Sequence, residues 1–177
     1  MPRIRRCWDF YWGVESGGAA CPIAFGRMTA LSQGRSAEGD EWQLMVRDRP
    51  GLDGSVTSTS IRVVSAGGRI SQGGYGERSL APDQRFDWYG GRDDESGPNH
   101  VILRLARDVA SVRVRLSDGR LEQPDLVDHP VHQDARVAGL VFPRALDIVS
   151  VELLDSDGRV IVEEEGILAC GRPGPPG

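Results

Sequence analysis

Between residues 40 and 169 apolar and polar positions alternate with a period of two, the period that a strand imposes on its two faces. Trp42, Leu44 and Val46 share one face of a first run, and Thr57–Val64 is a second run rich in β-branched residues. His100–Ala106 sets Val101, Leu103 and Leu105 on one side, and Val112, Val114 and Leu116 alternate with Arg113 and Arg115. Leu121 and Gln123 resume the pattern until Pro124. Arg136–Phe142, Ile148–Leu154 and Val160–Glu164 complete the main set, with Gly166–Ala169 as an edge. Loops are expected at Asp48–Ser55, over the polar stretch 77–99 with its Phe86–Tyr89 island, and at Leu126–Gln133. Gly-rich turns are expected at Ala66–Arg69 and Ser71–Gly76.

Two runs end in the same tetrapeptide, Ser117-Asp118-Gly119-Arg120 and Ser156-Asp157-Gly158-Arg159, 39 residues apart. An alternating run that enters Asp-Gly predicts a β-hairpin, here with a type I′ turn. The outward positions of the two copies exchange charge, Arg113 against Glu152, while the apolar positions and the turn persist. The repeat therefore reports hairpin requirements and not a duplicated site. Eight or nine short strands without a helix predict an all-β fold: an antiparallel β-sandwich, immunoglobulin-like in a broad sense.

Residues 1–38 lack a period and read as an N-terminal extension, 40–169 as the sandwich domain, and 170–177 as a disordered Pro/Gly tail. Trp8, Phe10, Tyr11 and Trp12 form an aromatic cluster in the extension, expected as a lid over a core or as a patch for a partner. No run of about 18 apolar residues is present, so no integral membrane segment is predicted. The basic start Met1–Arg6 is followed by no clean apolar stretch; as the sequence stands this implies a cytoplasmic chain, or an extracytoplasmic one with a different true start.

Net charge is −5 and the pI about 5.2, which argues against a nucleic-acid partner. All 21 basic residues are Arg, a bias that GC-rich codons explain without any anion-binding role. Cys7, Cys21 and Cys170 are odd in number and follow no zinc-ligand spacing; Cys7 and Cys21 are able to close a small loop.

The arrangement of Trp42-x-Leu44, of Gly67-Gly68 with Gly73-Gly74-x-Gly76, and of Val112-x-Val114-x-Leu116-x-Asp118-Gly119-Arg120 resembles uncharacterised immunoglobulin-like β-sandwich domains of actinobacterial envelope proteins. The resemblance covers roughly residues 42–165. It implies a β-sandwich without an activity of its own, and it brings no catalytic residues.

Chemistry is sparse. No Gly-x-Ser-x-Gly is present. His129, His132 and Asp134 lie within one Pro-stiffened loop and are the metal-ligand candidates, for a metal-binding domain or a metal-assisted hydrolase. Trp88 and Tyr89 are candidates for an aromatic platform in a carbohydrate-binding module. Arg104, Arg113 and Arg115 share a phase and are expected to form a basic stripe on an outer sheet face, open to an acidic protein partner or neutralised by Glu152 and Glu163. The calcium-like Asp155-Ser156-Asp157-Gly158 lacks its third acidic position, and Gly73–Gly76 lacks a phosphate-loop context. Asp93-Asp94-Glu95 reads as a solvated acidic tip, and Glu163-Glu164-Glu165 as a charge block on an edge strand. The expectation is a non-enzymatic structural or protein-interaction module with no cofactor, its partner and oligomeric state left open by the sequence.

Overall fold

The computed structural model describes residues 27–51, 54–76, 80–92 and 97–168. The three cysteines, the aromatic cluster at Trp8–Trp12, the acidic triplet at 93–95 and the Pro/Gly tail lie outside these residues. Among the described residues there is no helix, and none is therefore long and apolar enough to cross a membrane.

Twelve strands form three antiparallel four-stranded sheets. The first sheet holds β1 (Arg27–Arg35), β2 (Glu41–Gly51), β3 (Gly54–Val64) and β4 (Ile70–Gly76), in chain order. The middle sheet is ordered β5 (Phe86–Arg92), β6 (Asn99–Ala106), β10 (Ala135–Phe142), β9 (Val127–Asp128). The third is ordered β12 (Val160–Leu168), β11 (Ile148–Leu154), β7 (Ser111–Leu116), β8 (Leu121–Glu122).

Two separate apolar cores hold these sheets together. Val101, Leu103 and Leu105 of β6, with Ala138, Leu140 and Phe142 of β10, pack against Val112, Val114 and Leu116 of β7 and Ile148, Val151 and Leu153 of β11. The opposite side of the same middle sheet presents Ile102, Val137 and Val141 to Leu44, Ile61 and Val63 of the first sheet. β6 is consequently buried at seven of its eight positions, the pattern of a strand covered on both faces. The described residues thus form a three-layer stack of twelve strands, where eight or nine strands in a sandwich were expected.

Several local expectations change with it. Among the described residues the first strand, β1, already lies inside the stretch read as an extension. Ser71–Gly76 is not a turn but most of edge strand β4, paired with β3 from Ser58↔Gly76 to Val64↔Ile70. The Phe86–Tyr89 island is not in a loop but in β5. In both places glycine and polar residues sit on strands at sheet edges, where the demand for apolar side chains is weaker.

The hairpin turns obey one rule. Gly119 and Gly158 have φ of 88° and 76°, and no non-glycine residue among those described has positive φ. Gly119 N–H donates to the Leu116 carbonyl at 2.9 Å, and Leu116 N–H to the Arg120 carbonyl at 2.9 Å. Asp155, Gly158 and Arg159 repeat the arrangement. These are type I turns closed by a left-handed glycine bulge, not type I′ turns, because the central Asp stays at negative φ. The β1–β2 and β3–β4 hairpins close in the same way at Gly39 and Gly68.

Neighbouring residues of β6 point into different cores, so Ile102→Ala and Leu103→Ala are each expected to lower stability by about 2–4 kcal/mol in denaturant unfolding. In a two-layer sandwich one of the two would lie at a surface and change stability by less than about 0.5 kcal/mol. A small effect at either position would refute the three-layer stack.

Candidate functional site

Polar groups buried in this stack fall into two kinds. Some are fully used. Asn99 is completely buried, and its Nδ2 donates to the carbonyls of Pro143, Arg144 and Leu146, at 3.2, 3.2 and 2.9 Å, clamping the turn after β10. His129 is buried, and its Nδ1 accepts from the backbone N–H groups of Val131 at 3.2 Å and His132 at 2.9 Å.

That second clamp bears on the metal candidate. The rings of His129 and His132 do come together, with centroids 4.9 Å apart. The Nδ1 lone pair of His129 is occupied by two backbone donors and is not open to a metal. Asp134 is exposed, and Asp128 is engaged by Arg107 at 3.8 Å and Arg136 at 3.3 Å. Among the described residues no group of three His, Cys, Asp or Glu side chains is placed to hold a metal ion. The loop is better read as a self-clamped connection.

The other sequence candidates are redistributed by the stack. Trp88 packs on the core between the middle and third sheets, Tyr89 on the core between the first and middle sheets. Adjacent strand residues face opposite ways, so the pair makes no common exposed platform. Arg113 and Arg115 are on the third sheet, where Arg113 pairs with the cross-strand Glu152 at 2.8 Å and Arg115 is exposed. Arg104 is not with them: it sits on β6 with 2% exposure and faces the first sheet. The expected basic stripe is therefore divided between two sheets.

The second kind of buried polar group is left over. His100 is 3% exposed and neither ring nitrogen has a hydrogen-bond partner. Its ring fills the space that two glycines leave: a Cβ at Gly73 would lie 2.3 Å from Nε2, and one at Gly91 2.7 Å. Tyr89 lies beside it, ring centroids 6.5 Å apart, and Tyr75 stacks on Tyr89 at 5.8 Å. Burial away from water lowers the His100 pKa from 6.5 to about 4.

A groove of about 310 Å³ opens beside Trp42. Ser32–Glu38 at the end of β1, Trp42, the Arg120–Asp125 stretch and Gly139–Val141 of β10 wall it. The Trp42 indole lies over Gly34 of the neighbouring strand, where a Cβ would meet the ring at 2.7 Å. Gln33 and Gln123 bring amides, Glu38, Glu122 and Asp125 carboxylates, and Arg35 and Arg120 guanidinium groups. Arg35 is tied to Glu41, and Arg120 to Asp118 at 2.7 Å. The Arg120 backbone N–H, and after it the guanidinium, hold Asp118 below the ordinary carboxylate value, and Asp118 raises the Arg120 guanidinium in turn. The sequence set Trp42 on one face with Leu44 and Val46 and gave no sign of the groove; its walls come from the stretches 32–42, 120–125 and 139–143, and its only sequence mark is the density of Gln, Glu and Asp around Pro124.

No protein-family model, curated protein or solved structure matches this chain.

The titration of His100 gives a stability test. The unfolded chain binds this proton near 6.5 and the native state near 4, so between those values the unfolded state holds more protons. The contribution is present in full above pH 6.5 and is lost as pH falls toward 4, by about 3 kcal/mol over the window. His100→Leu should flatten that part of the urea-unfolding profile relative to the parent chain. Parallel profiles for the two proteins between pH 6.5 and 4.5 would exclude the assignment.

Proposed function

We propose that the protein is a non-enzymatic interaction module and that its contact surface is the groove beside Trp42. The observation that carries this reading is the lining of the groove: one indole among amides and charges of both signs. Gln33 and Gln123 each donate and accept, as peptide bonds do, and suit an extended segment of a protein partner. Trp42 supplies a half-buried aromatic anchor, the residue type that dominates binding energy at interfaces. The cavity holds a few side chains, so the contact is with a segment and not with a whole folded face.

The immunoglobulin-like character belongs, in this reading, to the middle and third sheets, which enclose the larger of the two cores. The resemblance to envelope β-sandwich domains supports a module of this kind, displayed to partners. A second reading is favoured by the same indole: Trp42 beside Gln33, Gln123, Glu122 and Asp125 also suits a sugar ring, which stacks on an aromatic and hydrogen-bonds to amides and carboxylates. It replaces Trp88 and Tyr89 as the carbohydrate platform.

A photo-crosslinking residue at Gln123 should give a discrete adduct in native-host extract, and the same residue at Arg115, on the outer face of the third sheet, should not. Glu122→Lys, at the rim, should weaken the Gln123 adduct without changing the melting temperature. A carbohydrate ligand would instead leave Gln123 without a protein adduct and shift groove resonances with oligosaccharides. Adducts at Arg115 alone would overturn both readings.

A further inference from the structure

Among the described residues, Arg104 is a buried charge that its surroundings pair only in part. Its side chain is 3% exposed, between the first and middle sheets. Asp87, directly across on β5, reaches Nη2 only at 3.4 Å, beyond the usual distance of about 2.7–2.9 Å for a charge-assisted bond. Asp87 is also divided: its Oδ1 accepts the Trp88 backbone N–H at 2.8 Å, and its side chain is 46% exposed. The Arg104 Nε and Nη1 are buried with no acceptor. The Tyr75 ring, 5.9 Å from Cζ, covers the guanidinium from the first sheet. A buried cation with three idle N–H bonds, one on Nε and two on Nη1, is costly, whereas an apolar side chain of similar volume would be tolerated there.

The surroundings are built around this group. Tyr75 and Tyr89 stack edge to edge of the two sheets, and the half-exposed Asp87 marks the way to solvent along the β4–β5 margin. Asp48, whose Oδ1 is likewise buried without a partner, is on β2, further from that margin, and makes no ion pair with Arg104. We infer that Arg104 is the cationic floor of a site for a small oxyanion, a carboxylate or phosphate group, which enters at the β4–β5 margin and supplies the acceptors for Nε and Nη1. The site is separate from the groove at Trp42 and does not depend on that reading.

The test is thermal unfolding and NMR titration of the full chain with sodium phosphate and with sodium acetate, at constant ionic strength against sodium chloride. One of the two should raise the melting temperature saturably and shift the Arg104 Nε–H resonance. Phosphate alone indicates a phosphate ester as ligand, acetate alone a carboxylate. Arg104→Met should keep the fold and weaken binding by roughly tenfold or more. Asp87→Asn, which removes the competing carboxylate without touching the core, should tighten it. Arg62→Met, on an exposed position of β3, should leave it unchanged. No saturable effect of either anion, equal effects in Arg104→Met, or weaker binding by Asp87→Asn would overturn the inference.

Discussion

The middle sheet governs everything else in this chain. A sheet covered on both faces has no solvent side on which to place polar residues, so β6 and β10 must be apolar at consecutive positions. Val101-Ile102-Leu103 meets the requirement from one strand and Ala138-Gly139-Leu140-Val141-Phe142 from its neighbour. The outer sheets need only one apolar face each. This explains why β7, with Arg113 and Arg115 between Val112, Val114 and Leu116, alternates cleanly while β6 does not. Loss of the middle sheet would separate the two cores, since neither outer sheet packs on the other's apolar face.

The same constraint raises the stakes for polar residues on β6. Asn99 meets it by giving its amide hydrogens to three carbonyls, and His129, elsewhere in the stack, by accepting two N–H groups. Among the described residues His100 finds no partner for either ring nitrogen, and Arg104 finds one only at Nη2, in Asp87. His100 is accommodated by volume, through glycines on two different strands, and by giving up its charge at neutral pH. Arg104 offers only N–H donors, so it depends on acceptors brought to Nε and Nη1. Two unsatisfied groups four residues apart on one strand thus differ in kind: one titrates out of difficulty, the other needs an acceptor from outside.

Much of the fold was legible in the residues. Alternation marked β2, β3, β7, β11 and β12, and Asp-Gly marked two of the hairpins, since a left-handed turn position selects glycine whatever surrounds it. The third layer was not legible by alternation alone. Its trace was the contiguous apolar run in β6 and β10, which a two-layer reading assigns half to solvent, and that assignment is what carried Arg104 to an imagined outer stripe. Gly73 and Gly74 misled for a related reason: glycine is read as a turn former, but Gly73 is selected by the His100 ring packed against it, a contact between residues far apart in the chain.

The groove was illegible for a topological reason. Arg120–Asp125 is where the chain leaves the third sheet at β8 and crosses toward β9 of the middle sheet, and the β1–β2 turn overhangs it from the first. A segment that changes layers cannot continue either sheet's ladder, so its side chains are free of the packing that fills the two cores. It meets Trp42 where the first sheet ends and the middle sheet's Gly139 offers no side chain. Three layers therefore meet at one point lined by polar side chains, and the groove follows from the crossing itself. No local motif has to encode it, which is why none was there to be read.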